Sequence, residues 1–519
     1  MQRLDSYVYG TWQQGAGQQQ ALFNPTTREA VAELGSDGVD FARVIAHGRE
    51  VGGPALRGVG FAERAAWLKA LSAAIHEHRE ELIEVSVQNG GNRRGDAKFD
   101  IDGATGTLAA YASFGKRLGD VKFLTDGEGV QLGRTPRFWG QHVRVPREGV
   151  ALHINAFNFP AWGMGEKMAC ALLAGMPVIE KPGTPSALLA WRIARIVVDA
   201  GVLPEGAFQF IAGSTGNLLD LLGPQDCVAF TGSSRTGAVL KQNANIIARN
   251  VRLNIEADSL NAAILGPDVT ASAEVYNEFL GNVVTDMTQK AGQKCTAVRR
   301  ILVPEASLDF VVEALVERLQ AIRVGDPSSD ESGMGPLASE AQLRDVRAGI
   351  ERLASAGRVA CGGSGEVAGL GGYFVAPTLI VASDGHADAL HKEEVFGPVA
   401  CVLPYSGSAA EAIALTNRGG GGLVASIYSN DWPWTSEVVL GISPWHGRVW
   451  VGADKTAGQA MAPGVVLPHM VHGGPGRAGG GEELGGLRGL EFYMQRTALQ
   501  GFQGTVGRSF GAKSEEAGA

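Results

Sequence analysis

The chain contains few cysteines, and no two of them lie close together in the sequence. Five of the 519 residues are cysteine, and no CxxC pair occurs. An odd number of widely spaced cysteines argues against a disulfide framework and against a zinc site built from thiolate pairs. The simplest compartment for such a chain is a reducing one, so we predict a cytoplasmic protein.

Excess basic charge and long apolar runs are lacking as well. The net charge is −9 at pH 7, whereas a nucleic-acid-binding protein would normally carry a basic patch. No uninterrupted apolar run reaches the ~18 residues that a transmembrane helix needs. The first residues also lack the basic and apolar segments of a signal peptide. We therefore expect neither nucleic acid nor a membrane as a partner.

Apolar runs and amphipathic segments alternate along most of the chain. The first third shows helical spacing, most clearly over 61–87. The later segments predicted as strands are 150–154, 177–181, 208–211, 227–230, 251–255, 300–303, 399–403 and 423–428. Those predicted as helices are 162–174, 185–200, 233–244, 308–322 and 409–417. This alternation predicts an α/β protein with two lobes, each a parallel sheet covered by helices.

One cysteine fits a buried core position less well than the others. Cys295 follows a helical stretch, in the loop sequence Gly292-Gln-Lys-Cys295. Its neighbour Lys294 could lower the pKa of the thiol and so favour a reactive thiolate. The alternative is an inert small hydrophobic residue, which describes most cysteines.

Polar residues follow several predicted strands, where α/β proteins place functional groups. Glu256 ends one strand, although a solvated surface glutamate is the simpler alternative. Asn158 lies between a strand and a helix, where its amide could stabilise an oxyanion or merely cap the helix. Lys181 and the segment Thr231-Gly-Ser-Ser234 follow two more strands and suit ribose or phosphate contacts.

The glycine-rich segment near the C-terminus contains two features that we do not interpret as sites. Gly474-Pro-Gly476-Arg-Ala-Gly479 matches G-x-G-x-x-G, but no acidic residue follows at the offset of a dinucleotide-binding unit. His469 and His472 are not joined in the sequence by further ligand-like residues. We therefore predict no metal site.

Seven short segments, taken in order, resemble the aldehyde dehydrogenase superfamily over about residues 7–500. They are Asn158-Phe-Pro160, Lys181-Pro182, Phe230-Thr-Gly-Ser233, Glu256, Gly292-Gln-Lys-Cys295, Glu394-Val-Phe-Gly-Pro398 and Gly447-Arg-Val-Trp450. Each segment is short, but all seven in this order are very specific. The resemblance implies the aldehyde dehydrogenase fold, with two Rossmann-like α/β lobes and a small β oligomerisation arm.

The same resemblance implies domain boundaries and a homodimer. The cofactor-binding domain would comprise 1–124 and 148–255, and the catalytic domain 256–460. The oligomerisation arm would comprise 125–147, with a hairpin within 131–147, and 487–519. A glycine-rich connection would occupy 461–486. The last residues, 512–519, are expected to be frayed.

The resemblance also implies roles for individual residues. Cys295 would attack an aldehyde as a thiolate, while the Asn158 side chain and the Cys295 backbone amide hold the oxyanion. Hydride would pass to nicotinamide and leave a thioester, which Glu256 would hydrolyse by activating water. Lys167 and Glu483 match proton-relay positions of the family.

A nicotinamide dinucleotide is the implied cofactor. The implied contacts are Ile154, Asn155, Lys181, Thr184, Gly213, Ser214, Thr231, Gly232, Ser233, Ala257, Glu394 and Phe396. The family often has a glutamate where this chain has Thr184, and that carboxylate would repel the 2′-phosphate of NADP. We therefore expect NADP to be preferred, with NAD possible.

Several departures from the family pattern point to one subgroup. The residues after Glu256 read Ala-Asp-Ser-Leu-Asn261, and the distance from Glu256 to Cys295 (295 − 256 = 39) is longer than in most relatives. Phe157 stands where tryptophan is common, and the glycine-rich run 468–486 is unusual. These features resemble enzymes that oxidise CoA-linked semialdehydes in aerobic degradation of benzoate-type aromatics.

Four alternatives remain at this point. The chain could oxidise an aldehyde without CoA, or transfer the acyl group to free CoA, although Glu256 argues against CoA acylation. It could be a catalytically silent relative, which the joint presence of Cys295, Glu256 and Asn158 disfavours. It could also be a cysteine esterase or thioesterase, which would need no nicotinamide cofactor.

Overall fold

A computed structural model describes residues 1–511, so the predicted frayed end at 512–519 lies outside the described residues. The strands, in chain order, are β1 Gln2–Leu4, β2 Ser6–Val8, β3 Thr11–Gln13, β4 Gln20–Phe23, β5 Ala30–Leu34, β6 Leu124–Gln131, β7 Phe138–Pro146, β8 Ala151–Ile154, β9 Val178–Lys181, β10 Phe208–Phe210, β11 Cys227–Thr231, β12 Arg252–Glu256, β13 Ala262–Leu265, β14 Arg300–Pro304, β15 Gly357–Cys361, β16 Thr378–Ala382, β17 Val399–Tyr405, β18 Gly422–Tyr428, β19 His446–Gly452, β20 Val471–Gly473, β21 Glu482–Leu484 and β22 Met494–Phe502.

The helices, also in chain order, are α1 Phe41–His47, α2 Gly53–Gly58, α3 Phe61–Glu77, α4 Arg79–Gly90, α5 Arg94–Leu118, α6 Trp162–Ala174, α7 Ala187–Asp199, α8 Ser234–Lys241, α9 Ala244–Arg249, α10 Glu274–Thr288, α11 Leu308–Gln320, α12 Glu340–Ala354, α13 Ala389–Lys392, α14 Ala409–Asn417, α15 Trp432–Ile442 and α16 Gln503–Phe510.

The N-terminal region is less helical than its sequence pattern predicts. Strands β1 to β5 precede the first helix, and β1, β5 and β4 form a small sheet of their own. The helix predicted over 61–87 is two helices, α3 and α4, which are separated at His78. Glu80 and Glu81 lie in the first turn of α4, where negative charge stabilises a new helix N-terminus.

The first large sheet has the strand order β12-β11-β8-β9-β10-β2-β3. Strands β8 to β12 are parallel to their neighbours, while β2 and β3 add antiparallel strands at one edge. The helix predicted over 233–244 is split into α8 and α9, because Asn243 caps the second helix by accepting a hydrogen bond from the Ile246 amide.

The second large sheet has the order β15-β16-β17-β14-β13-β18-β19. All neighbours are parallel except β15, which runs antiparallel to β16 at the edge. The structure therefore confirms the α/β class and the two lobes. We propose that the first large sheet marks the cofactor-binding domain and the second the catalytic domain.

Another three-stranded sheet forms an arm. Its order is β22-β7-β6, and all pairs are antiparallel. A hairpin is present here, but not within the predicted range 131–147: its first strand, β6, ends at Gln131, and only the second strand, β7, lies inside that range. Strand β22 pairs with β7 along its whole length, from Met494 opposite Pro146 to Phe502 opposite Phe138. We propose that this sheet is the oligomerisation arm.

The glycine-rich segment 461–486 packs its backbone against both lobes. A Cβ at Gly479 would lie 2.3 Å from the Ile255 carbonyl oxygen, at the end of β12. A Cβ at Gly447 in β19 would lie 1.8 Å from the Gly473 carbonyl oxygen in β20. Glycine is needed at both places because any side chain would force these backbones apart. Among residues 1–511, no helix is both long and apolar enough to cross a membrane.

Candidate active site

The carboxyl ends of four parallel strands meet at one edge of the first large sheet. The strand register places Ile154 of β8 beside Lys181 of β9 and Phe230 of β11, and places Thr231 beside Glu256 of β12. Residues that the sequence pattern selected one strand at a time therefore lie side by side. Ligands of open α/β sheets bind at such an edge.

Two cavities open from this edge and meet at the same small group of residues. The first is narrow and extends between apolar walls that include Phe99, Phe159, Trp162 and Val466. The second is a wider cleft along the strand ends. The residues that line both cavities are Asn155, Ala156, Asn158, Thr231, Glu256 and Cys295.

The loop that carries Cys295 is held from two sides. The Asn261 side-chain amide donates hydrogen bonds to the carbonyl oxygens of Cys295, at 2.7 Å, and Ala297, at 2.9 Å. Arg299 donates to the carbonyl oxygens of Gly292, at 2.9 Å, and Lys294, at 3.2 Å. The thiol therefore sits on a fixed loop, and Cys295 is only partly buried while the other four cysteines are buried.

The expectation that Lys294 lowers the pKa of Cys295 is wrong. The Lys294 ammonium is buried in an ion pair with Asp286, at 2.7 Å, and donates to Gln289. Burial instead raises the pKa of the Cys295 thiol well above its usual range, and Glu256 adds to this rise. Arg448 opposes it. A thiolate at this position must therefore be formed with help from a neighbouring group.

Glu256 is buried beside a histidine, His472, that no sequence motif indicates as a site residue. His472 Nε2 lies 3.1 Å from Glu256 Oε2 and 3.8 Å from Cys295 Sγ. Burial works to raise the pKa of Glu256, but the charge of His472 and its hydrogen bond lower it to about 2. The sequence around His472 does not indicate these neighbours, yet the three side chains bring nitrogen, oxygen and sulfur atoms within 4.8 Å of one another.

The predicted relay residues lie in a buried chain of charges behind the site. Lys167 Nζ is 3.3 Å from Glu483 Oε2 and 3.5 Å from Glu166 Oε1. Burial works against the charge of Lys167, but Glu483 and Glu166 raise its pKa above the usual range. Burial raises the pKa of Glu166 to about 8. A small cavity lined by all three residues adjoins this chain.

Most of the predicted cofactor residues line the cleft. Those that do are Ile154, Asn155, Lys181, Thr231, Gly232, Ser233, Ala257, Glu394 and Phe396. Burial lowers the pKa of Lys181. Burial, together with Asp258, raises the pKa of Glu394 to about 8. The Asn155 Oδ1 atom is buried without a hydrogen-bond partner among the described residues, and its residue lines the cleft. The cation, the hydroxyls and this free acceptor suit a dinucleotide.

Three predicted cofactor residues lie outside the described cleft lining, so their contacts stay predictions. Thr184 lines an adjoining cavity of about 990 Å³, together with Arg28 and Glu340. Gly213 and Ser214 follow β10, and the Ser214 carbonyl oxygen accepts a hydrogen bond from Ser36.

Four residues of the site escaped the sequence reasoning. His472 reaches Glu256 from the glycine-rich segment, and Glu166 joins the charge chain. Gln342 lines the cofactor cleft from the first turn of α12. Asn261 holds the Cys295 loop. Only Asn261 lies in a segment that the sequence marks as unusual, the run after Glu256. The other three residues are brought to the site by contacts between parts of the chain that are distant in sequence.

Two Rossmann-like lobes that meet at a cysteine between two cavities are typical of a nicotinamide-dependent oxidoreductase. The model of the aldehyde dehydrogenase family matches residues 12–499. The chain belongs to this family and has its fold.

Named relatives agree with this assignment. The chain is 43% identical to a 3,4-dehydroadipyl-CoA semialdehyde dehydrogenase from Aromatoleum evansii, over 91% of this chain and 93% of that protein. A crystal structure of betaine aldehyde dehydrogenase from Staphylococcus aureus superimposes with a TM-score of 0.84 at 25% identity, over 96% of this chain and 95% of the other. An NADP-dependent enzyme from Escherichia coli gives 0.83 at 25% identity, over 96% and 98%.

Proposed function

We propose that this chain oxidises a CoA-linked semialdehyde, 3,4-dehydroadipyl-CoA semialdehyde, to the carboxylic acid with NADP as the oxidant. The support for the substrate is the 43% identity to the Aromatoleum evansii relative across nearly the whole of both chains. The same likeness supports a place in aerobic degradation of benzoate-type aromatics. We further propose that the enzyme is a cytoplasmic homodimer and uses no metal.

The observation that carries the proposed reaction is the position of Cys295 at the junction of the two cavities. An aldehyde in the apolar cavity would meet the thiol from one side, and the dinucleotide in the cleft from the other. Nicotinamide supplies the hydride acceptor there. Reactants that are held in this way react as if they were one molecule.

The chain's own residues account for the remaining steps. The Cys295 thiolate attacks the carbonyl carbon, and the Asn158 amide and Cys295 backbone amide hold the oxyanion. Loss of hydride leaves a thioester on Cys295. Glu256 then removes a proton from water as it attacks the thioester. Lys167 and Glu483 carry that proton away from the site.

The preference for NADP rests on Thr184. Thr184 is uncharged and shares its cavity with Arg28, although Glu340 lies there too. Without a carboxylate at position 184, a 2′-phosphate meets less repulsion than it would in a relative that has glutamate there. Lys181 lines the neighbouring cleft and is suited to the same phosphate.

An assay of the purified protein with paired substrates tests this proposal. We expect a higher kcat/KM for the CoA-linked semialdehyde than for the free semialdehyde, and for NADP than for NAD. Product analysis with added free CoA should give a free carboxylic acid at the oxidised carbon. A second CoA thioester at that carbon would instead identify a CoA-acylating enzyme, and an equal rate on free aldehydes would reject the proposed substrate.

A further inference from the structure

His472 lies between the proposed nucleophile and the proposed base, and the steps above give it no role. The same nitrogen, Nε2, is 3.1 Å from Glu256 Oε2 and 3.8 Å from Cys295 Sγ. The side chain is buried and lines the apolar cavity. A buried imidazole in contact with both a thiol and a carboxylate is poorly explained as packing alone, because an apolar side chain would avoid the desolvation of a polar ring.

We propose that His472 is a further catalytic residue: as an imidazolium whose Nε2–H lies against both the Glu256 carboxylate and the Cys295 sulfur, it keeps the carboxylate ionised and stabilises the thiolate. This inference rests on the proposed function, because it requires Cys295 to be the nucleophile. In the step, the S–H bond breaks and its proton passes to water in the adjoining cavity, while the imidazolium keeps its own proton. The thiolate that forms is then paired with the positive charge of His472.

The backbone around His472 fixes it in this place. His472 is the middle residue of β20 and pairs with Glu483 of β21. The next residue, Gly473, packs its carbonyl against Gly447 so closely that a Cβ could not fit there. The ring is therefore held by the sheet, so its charge is preorganised beside the sulfur and the carboxylate.

The charges that face His472 come from four elements. Glu256 ends β12, Cys295 lies on its loop, Glu166 lies on α6 and Arg448 lies on β19. Arg448 already donates to the carbonyl oxygens of Val465 and Pro463.

Burial of both a thiolate and a carboxylate in one apolar site is costly unless a cation lies between them. An imidazolium at His472 meets that need. Burial works to lower the pKa of His472, but the Glu256 carboxylate outweighs it and raises that pKa.

The division of work between His472 and Glu256 follows from this arrangement. Because His472 holds the pKa of Glu256 low, that carboxylate is a weak acceptor for the thiol proton. The imidazolium instead favours loss of that proton to water, since it places a positive charge beside the thiolate. Glu256 then remains ionised for its later task of activating water. The proton shared by the three groups titrates as a property of the cluster.

The pH dependence of Cys295 alkylation tests the proposal without any turnover. Iodoacetamide reacts with the thiolate, so the labelling rate at each pH reports how much thiolate is present. The intact enzyme is labelled without cofactor, and peptide mass spectrometry follows Cys295 alone. The variants are His472→Phe and His472→Gln, the second of which can still hydrogen-bond to Glu256. His469→Gln is the matched control, because His469 is exposed and its ring packs on Phe114.

We expect the midpoint of labelling to move up by at least one pH unit in both His472 variants, so that the rate near pH 7 falls about tenfold or more. The His469 variant should keep the wild-type profile. If either His472 variant binds NADP normally and labels with the wild-type profile, the proposal is wrong. If both misfold, ultraviolet absorbance of the wild type minus Cys295→Ala decides: a thiolate near pH 7 supports the proposal, and its absence contradicts it. Failure of the proposed function would show separately, as dehydrogenase activity retained by Cys295→Ala.

Discussion

Individual side chains at the site depend on partners that are remote in sequence. Cys295 is held by Asn261 and lies next to His472, which comes from the glycine-rich segment 461–486. The thiol and Glu256 could be selected from short motifs, because those motifs lie at strand ends and on a glycine-containing loop. His472 could not, because nothing local distinguishes a histidine in a glycine-rich segment. Lys294 shows the opposite error: adjacency in sequence suggested an effect on Cys295, but the side chain turns to Asp286.

Position 184 allows a direct test of the cofactor preference. We expect Thr184→Glu to lower kcat/KM for NADP relative to NAD by roughly ten- to a hundredfold, because its carboxylate would repel the 2′-phosphate. Each tenfold change in the ratio corresponds to about 1.4 kcal/mol. Steady-state kinetics with both cofactors measure the ratio. Thr184→Ser is the neutral control and should keep the wild-type ratio. An unchanged ratio in Thr184→Glu would show that position 184 does not determine the cofactor preference.

Glu166 should give the protein a pH-dependent stability. Its pKa is raised to about 8 by burial, so the native protein binds this proton more tightly than the unfolded chain does. Its contribution to stability is full below the unfolded pKa and is lost as the pH rises towards about 8. The loss is at most about 1.4 kcal/mol per pH unit. We expect Glu166→Gln to flatten the fall in Tm between pH 5 and pH 8.

The exposed Glu313 offers a control for that experiment. Glu313→Gln should leave the slope of Tm against pH as it is in the wild type. If Glu166→Gln keeps the full wild-type slope of Tm against pH, the raised pKa of Glu166 does not contribute to the pH dependence of the protein's stability.

At the scale of elements, the strands and helices of the two lobes were the most predictable part. Helix 162–174 and helix 409–417 have the bounds that their patterns indicate. The element breaks were missed, because a cap such as Asn243 ends one helix and begins the next without changing the apolar spacing. Short buried strands such as β13 were also missed, since a run of four apolar residues does not distinguish strand from helix.

The close packing of β19 on β20 should be required for both stability and activity. A Cβ in Gly447→Ala would collide with the Gly473 carbonyl oxygen and move the strand that carries His472. We expect a loss of several degrees in Tm and at least a tenfold lower kcat/KM. Gly281→Ala is the control, because position 281 is within α10 and has no atom within 4 Å of a built Cβ. That change should keep activity and stabilise the helix slightly.

At the scale of the whole molecule, the alternating pattern predicted two α/β lobes, and ordered motifs predicted the family. The pattern could not supply the position of one lobe against the other, because that position depends on contacts such as Gly479 against Ile255. Those contacts create the junction where Cys295 meets both cavities.

The arm should hold two subunits together. Phe138 and Phe502 lie opposite each other on β7 and β22, and 46% and 62% of their surfaces are exposed. Exposed apolar surface of this kind is typical of an interface. We expect light scattering to give the mass of a dimer, and the double change Phe138→Asp with Phe502→Asp to give that of a monomer. Val359→Asp, on the edge strand β15, should leave the dimer intact. A monomeric wild type would contradict this role of the arm.

The most direct test of the proposed chemistry is the mass of the intact protein during the first turnover. The wild type and Glu256→Gln are mixed with NADP and the CoA-linked semialdehyde and quenched with acid. If Cys295 is the nucleophile and Glu256 the base for hydrolysis, both proteins form NADPH. Glu256→Gln then accumulates one acyl group per subunit, and peptide analysis places it on Cys295. The mechanism would be contradicted if either protein formed NADPH while Cys295 stayed unmodified throughout the first turnover of Glu256→Gln.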